Sequence, residues 1–366
     1  MGLDFAALVR DWDGEQVVIS HDSTTATWMF VCQHSSRLGP ATGGTRLRVY
    51  PEPAAGLADG LRLAAAMTVK MAMAGMPLGG GKGVLAVAQL PDAATRERII
   101  DRYADLVASL GGSYLTAPDM NTSESDMDRI ARRCPYVFSR SVAQGGSGNS
   151  APATAVGVLH GIRASTQHAF GSSELSGLGI LVQGLGGVGG HVAELLTEAG
   201  ARVLVAAVDP DRVVRAVRTL GAAPVDAADV IGTDCDVLAP CAVGGVLDAA
   251  AVDTLRCRVV AGAANNQLAE PSIARRLRDR GVLYAPDFVI NAGGVLHGVG
   301  LEQLGWDDAE LQRRLRGIGD TLLTIYREAD DAQLSTHDTA ERAARRPSGR
   351  TAQISAERSR LRCRHE

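Results

Sequence analysis

Apolar and polar positions follow two different rhythms along the chain. Segments 15–20 and 27–32 alternate or run apolar and read as strands, as does Arg46–Tyr50, which Pro51 and Pro53 end. From Ala54 to about Ala74 the apolar positions Leu57, Leu61, Ala64, Met67 and Met71 keep one helical face. Gly79-Gly80-Gly81-Lys82-Gly83 then reads as a turn, followed by a short apolar strand, Val84–Val87. A helix is expected from Arg96 to about Leu110, stopped by Gly111-Gly112, and then a strand from Tyr114 whose end delivers Asp119. Another helix starts at Asp126-Met127-Asp128. Gln144–Ser150, with Gly145, Gly146 and Gly148, reads as a linker able to absorb a hinge motion. Pro152 suits the first turn of a helix running to about Ala169.

From Leu178 onward strands and helices alternate, which implies a parallel sheet. Leu178–Gln183 is an apolar strand, a helix runs to about Ala199, and Arg202–Ala207 is the next strand. Apolar runs at Val237–Leu238, Val259–Ala261 and Val282–Tyr284 extend the sheet, and helices near 294–305 and 308–329 close the fold. The fold class is therefore α/β. Its domains are residues 1–147, 148–330 with a Rossmann-type strand order, and an Arg-rich tail, 331–366, partly disordered. The helix from about 308 is expected to pack back on the first domain.

Composition narrows the function without naming it. A length of 366 residues suits two cores, and 46% hydrophobic with 21% charged residues suits a globular protein. The net charge of −4 gives no reason to expect nucleic acid. No apolar run is long enough to span a bilayer, and the first residues, Met1-Gly2-Leu3-Asp4-Phe5, do not read as a signal peptide. Six scattered cysteines without a CxxC pair suggest reduced thiols, and eight histidines without ligand spacing argue against a metal. A cytoplasmic protein without a membrane partner is expected.

Of 37 basic residues only two are lysine, Lys70 and Lys82, and both flank the Gly-rich segment. Arginine keeps its proton in proteins, whereas burial tunes lysine into an acid, base or nucleophile. The segment is not a nucleotide-binding P-loop: Gly83 stands where Ser or Thr would ligate magnesium, and Met76 where the first glycine belongs. Gly184-Leu185-Gly186-Gly187-Val188-Gly189, by contrast, follows a strand and opens a helix, the context of a dinucleotide fingerprint. One part is off. Ala207 occupies the place of the acidic residue that binds the adenosine ribose, and Asp209 lies two residues on. Either Asp209 substitutes, or ribose binding is weakened, or the preference between NAD and NADP is relaxed. Two lysines and Asp119 near a nicotinamide site suit oxidation of an amino acid at Cα.

At these residues the chain resembles the glutamate/leucine/phenylalanine/valine dehydrogenase family, in its leucine–valine–phenylalanine branch. The similar stretches are Gly39–Arg46, Met67-Thr68-Val69-Lys70, Gly79–Lys82, Thr116-Ala117-Pro118-Asp119 with Asp126-Met127-Asp128, Ala239–Ala242, Ala261–Asn266, and Tyr284–Asp287 with Asn291–Gly294. The resemblance covers roughly residues 10 to 345. It implies an N-terminal substrate and oligomerisation domain, a dinucleotide-binding domain, NAD as cofactor and a homo-oligomer. Lys70 would hold the carboxylate of a small amino-acid substrate, with Asn265 and Gly44 also in contact. Lys82 would activate the attacking water and Asp119 would exchange protons with the amine. Arg46, Asp119, Thr154, Gly184, Leu185, Gly186, Gly187, Val188, Gly189, Asp209, Pro240, Cys241 and Asn291 would lie near the dinucleotide.

Thr42, Ala117, Val295 and Gly298 would line the side-chain pocket. All are small or apolar, which disfavours glutamate. Ala117 and Val295 look like leucine or valine enzymes, while Gly298 would leave room for a ring. The reading favours branched-chain substrates, with phenylalanine close behind. The Arg-rich end does not resemble the family's closing helix. A 2-hydroxy-acid dehydrogenase is the alternative enzyme, but no His–carboxylate motif supports it. A catalytically impaired dinucleotide-binding protein of the same fold is the other alternative.

Overall fold

The computed structural model describes residues 5–346, apart from Asp11 and Val243. In chain order the elements are α1 (Phe5–Arg10), β1 (Gln16–Asp22), β2 (Thr27–Ser35), β3 (Ala41–Val49), α2 (Pro53–Met73), β4 (Gly79–Val87), α3 (Ala93–Ser109), β5 (Tyr114–Pro118) and α4 (Glu124–Ala131). There follow α5 (Ala151–Phe170), β6 (Gly179–Gln183), α6 (Gly187–Glu198), β7 (Arg202–Ala206), α7 (Pro210–Leu220), β8 (Ala223–Pro224), β9 (Val237–Pro240) and α8 (Ala249–Thr254). The last are β10 (Val259–Val260), α9 (Ile273–Asp279), β11 (Leu283–Tyr284), α10 (Asp287–Ile290), α11 (Gly293–Gly298), α12 (Asp308–Ala332) and α13 (Thr336–Arg345). The chain forms two compact units. Residues up to Asn149 and the stretch Gly298–Trp306 make the first; Ser150–His297 and Asp307–Arg346 make the second.

The first unit holds a mixed five-stranded sheet in the order β1-β2-β4-β3-β5. Helix α2 covers one face through Leu57, Leu61 and Ala64, which meet Phe30, Cys32, Val84 and Ala86. On the other face Ile99, Ile100 and Tyr103 of α3 and Met127 and Ile130 of α4 meet Val31, Leu47 and Leu85. Covering both faces buries β4 along its whole length. Local sequence starts these helices where the core needs them: Asp92 caps α3 through Thr95 N, and Ser123 and Asp126 form a reciprocal capping box on α4.

The Gly-rich segment is not the expected turn. Gly79–Gly83 is the first half of β4, between β2 and β3. A Cβ on Gly79 would lie 1.8 Å from Ser35 O, and one on Gly80 2.1 Å from the Thr68 nitrogen of α2. These glycines let backbone pack against backbone.

The second unit is a parallel six-stranded sheet in the order β11-β10-β9-β6-β7-β8. Its core gathers Leu181, Leu204, Leu238, Val260, Leu277 and Tyr284. The helix expected to pack back on the first domain belongs instead to this unit. It lies along α5, where Ser165 Oγ and Tyr326 OH are 2.7 Å apart. The Arg-rich tail, read as only partly disordered, opens on a helix. Residues 336–345 form α13, whose Thr339, Ala340 and Ala344 are buried and whose Thr336 hydroxyl donates to Tyr284 O at 2.6 Å. The rest of that tail, 347–366, lies outside the described residues. The helix expected over 294–305 is α-helical only to Gly298 and π-helical from Val299 to Gln303. Within that turn Glu302 accepts from Ser147 N and Oγ at 2.8 and 2.6 Å, so the Gly-rich linker is pinned at one point. Among the described residues no helix is long and apolar enough to cross a membrane.

Candidate active site

Strand alternation sorts the candidate side chains of the first unit. Thr45 and Thr116 meet Tyr103 on the α3 face, so Thr42, Gly44, Arg46 and Ala117 share the α2 face with Lys82. There Asp119, just beyond β5, takes the Lys82 ammonium at 2.8 Å and Arg46 Nε at 2.9 Å on one oxygen, Oδ2. Arg46 Nη1 reaches Asp59 Oδ2 on α2 at 3.0 Å, and Asp59 also accepts from Tyr50 OH at 2.7 Å and from Arg62. Asp119 N donates to Thr122 Oγ1, whose hydroxyl donates to Thr45 O at 2.7 Å. The carboxylate is thus fixed from its backbone outward. The glycines set the spacing: a Cβ on Gly44 would lie 2.8 Å from Asp119 Cβ.

Lys82 is 5% exposed. Burial pushes its ammonium below the ordinary lysine value, and the Asp119 carboxylate only partly offsets this. Burial works to raise Asp119, but Lys82 and Arg46 outweigh it and hold the carboxyl well below the usual range. The pair therefore joins an amine poised to release a proton to a carboxylate kept ionised. Lys70 is half-buried near the end of α2, two residues beyond Thr68, which packs on Gly80.

A titration checks this tuning. Lysine labelled with carbon-13 at Cε gives two positions to follow, because the chain has only Lys70 and Lys82. One signal is expected to titrate below 10.5. Asp119→Asn is expected to move it lower still, because the carboxylate favours the charged form. Amino-acid oxidation that needs the neutral amine should rise as pH rises through that midpoint. A Lys82 signal titrating at or above 10.5 removes the argument for a tuned base.

In the second unit the sheet order reverses at β6, which has β7 on one side and β9 on the other. Ligands of such sheets bind at the carboxyl ends of the strands at that point. Here the ends are Gln183, Pro240 and Cys241, with Cys241 N–H donating to Gln183 O at 2.7 Å. Gly184 has φ +93° and a Cβ there would lie 2.6 Å from Ala242 Cβ. A Cβ on Gly189 would come within 1.9 Å of Gly184 O, so α6 starts hard against the loop. Gly186 caps α6 without a side-chain bond, and a Cβ on Gly186 or Gly187 would make no contact shorter than 3.6 Å, to Ala151 Cβ. First-turn N–H groups with room above them fit a pyrophosphate. Two buried acceptors at this end, Gln183 Oε1 and Asn291 Oδ1, have no hydrogen-bond partner, which suits an incoming donor. The residues fit a nicotinamide dinucleotide.

Asn291 Nδ2 donates to Asn265 Oδ1 at 2.9 Å and to Ala263 O at 3.1 Å, which brings two of the expected site residues together. Thr154, in the first turn of α5, packs against Gly293 and Gly294 at the start of α11, two residues past Asn291. Val295 is half-buried on α11. Asp209 does not continue a strand: β7 ends at Ala206, and Asp209 caps α7 by accepting from Asp211 N and pairs with Arg212 at 3.0 Å. A Cβ on Gly298 would meet Ser139 Oγ at 2.4 Å and the Phe138 ring at 3.0 Å. Sequence reasoning missed Asp59, Tyr50, Gln183 and Arg212. Only Gln183 carried a signal, as the residue just before the Gly-rich loop.

The family model described as Glu/Leu/Phe/Val dehydrogenase, dimerisation domain, matches residues 16–136. The one described as Glutamate/Leucine/Phenylalanine/Valine dehydrogenase matches residues 145–218 and 211–348. The chain is 38% identical to a leucine dehydrogenase of Geobacillus stearothermophilus over 92% of its own length and 91% of that protein's. It is 41% identical to a valine dehydrogenase of Streptomyces albus over 90% and 91%. Its structure is similar to that of an L-tryptophan dehydrogenase from Nostoc punctiforme, with a TM-score of 0.79 and 33% identity over 97% of this chain and 100% of the other.

Proposed function

The chain belongs to the glutamate/leucine/phenylalanine/valine dehydrogenase family and is an amino-acid dehydrogenase, an oxidoreductase acting on CH–NH2; from that premise we propose that it oxidatively deaminates an apolar L-amino acid, of the leucine or valine type, with NAD as acceptor. The observation that carries this reading is the 2.8 Å contact between buried Lys82 and Asp119. Asp119, held ionised, takes a proton from the substrate ammonium. Lys70 and Asn265 hold the substrate carboxylate. A bound nicotinamide dinucleotide supplies the acceptor for the hydride that leaves Cα. Lys82, as the neutral amine, takes a proton from the water that adds to the iminium carbon. Asp119 returns its proton to the nitrogen of that adduct, and collapse with loss of the hydroxyl proton to solvent releases ammonia and the 2-oxo acid.

The apolar preference rests on Thr42 and Ala117, which give a charged side chain no opposite charge. The named leucine and valine dehydrogenase relatives support it. The match to a dimerisation-domain model supports a homo-oligomer. The free thiols of the described cysteines suit a reducing cytoplasm.

The test is reduction of NAD by purified protein at alkaline pH with L-leucine, L-valine, L-phenylalanine and L-glutamate. The two branched-chain substrates are expected to lead. Fastest turnover with glutamate would overturn the pocket reading. No turnover by protein that still binds dinucleotide would favour an impaired enzyme.

A further inference from the structure

We propose that the second unit holds NADP(H) at least as tightly as NAD(H), with Arg212 as the group that receives the 2′-phosphate; this rests on the reading that the unit binds a nicotinamide dinucleotide.

The argument starts from the end of β7. Gln183 and Ala206 are partners across β6 and β7, and Gly184 N–H donates to Ala206 O at 2.7 Å. The residue after Ala206 therefore stands beside the first glycine of the loop. In this kind of βαβ unit that residue is normally acidic, binds the ribose hydroxyls and repels a phosphate placed on them. Ala207 does neither. The missing carboxylate costs NAD its ribose partner and removes the barrier to the phosphorylated form.

Arg212 supplies the opposite charge at the same edge. From the first turn of α7 its Nη1 donates to Leu185 O at 2.9 Å, inside the Gly-rich loop. The same nitrogen lies 4.0 Å from where a Cβ on Gly186 would stand. The guanidinium thus lies against the Gly-rich loop, the part of such units that carries the dinucleotide. A guanidinium offers five donors in a fork that matches phosphate, and the described bonds to Asp209 and Leu185 use two of them. The ion pair with Asp209 is open to solvent, with side chains 51% and 45% exposed. Such pairs are weakly held, so Arg212 can turn toward a phosphate. Among the described residues Asp209 is the acid paired with Arg212, and it competes with the phosphate for it.

Binding decides the matter without reference to turnover. Fluorescence of the bound dihydronicotinamide gives dissociation constants for NADH and NADPH with the full-length protein. The wild type is expected to bind NADPH as tightly as NADH or more tightly. Arg212→Gln should weaken NADPH by about tenfold relative to NADH, the size of a lost charge-assisted contact. Ala207→Asp should reverse the preference, and Asp209→Asn should tighten NADPH. In competition, 2′,5′-ADP should displace either ligand better than 5′-AMP. A wild type that prefers NADH by about tenfold or more, or an Arg212→Gln variant whose preference does not move, overturns the proposal while leaving the dehydrogenase reading intact. Failure of both dinucleotides to bind folded protein would remove the dinucleotide reading and this proposal together.

Discussion

Replacing Lys82 with alanine is expected to lower kcat by about 10²–10⁴-fold, the range spanned by general acid–base groups, while NADH binding stays nearly unchanged. Alanine alone does not prove the role, because it removes a charge and a proton carrier together. Lys82→Arg separates them. Arginine keeps the positive charge beside Asp119 but does not lose its proton at any working pH. If Lys82 serves as the base, both variants are inactive; if only its charge matters, the arginine variant retains most of the activity. The chain itself frames the experiment, since arginine fills 35 of its 37 basic positions and lysine remains at Lys70 and Lys82. Either variant should still fold, because Asp119 keeps Arg46 at 2.9 Å and is not left as an isolated buried charge. Active Lys82→Arg protein would end the proposed water activation.

Much of this site was legible before any coordinate. Lys82 and Asp119 stood out as candidates from residue type and from the strand that ends at Pro118, while their contact is visible only in the structure. The βαβ context of Gly184–Gly189 likewise held, because periodicity of 2 and 3.6 is a local property. What escaped the sequence depends on distant partners. Glycine-rich runs mark turns when only neighbours are considered, yet Gly79–Gly83 is strand because Ser35, Thr68 and β3 crowd it from far along the chain. The amphipathic face of α12 does not say which unit it covers; the pairing of Tyr326 with Ser165 does. Arg212 is one exposed arginine among many, and nothing in its sequence surroundings distinguishes it from a solvated side chain. Its significance arises only when α7 sets it against Leu185.

The glycines of the first unit carry the second large effect: Gly43→Ala is expected to prevent stable folding of the protein. The Cβ of alanine would stand 1.8 Å from Gly81 O and 2.7 Å from its carbonyl carbon. The obstacle is backbone, so no side-chain rotation relieves it. Relief requires β3 and β4 to separate, and these strands hold their register from Ala41↔Gly79 to Val49↔Val87. Overpacking of a core typically costs about 1–3 kcal/mol even where side chains can shift, and a domain of this kind has about 5–15 kcal/mol in hand. A rigid backbone collision in a strand buried on both faces should exceed the usual cost. Gly317→Ala is the control. It lies within α12, and among the described residues nothing beyond its own helix backbone comes within 4 Å of the new Cβ, so helix propensity should stabilise it by up to about 1 kcal/mol. Denaturant midpoints of the two variants against the wild type are the measurement. A Gly43→Ala protein with an unshifted midpoint would show that β3 and β4 do not meet backbone to backbone, and would also loosen the argument for how Lys82 is held opposite Asp119.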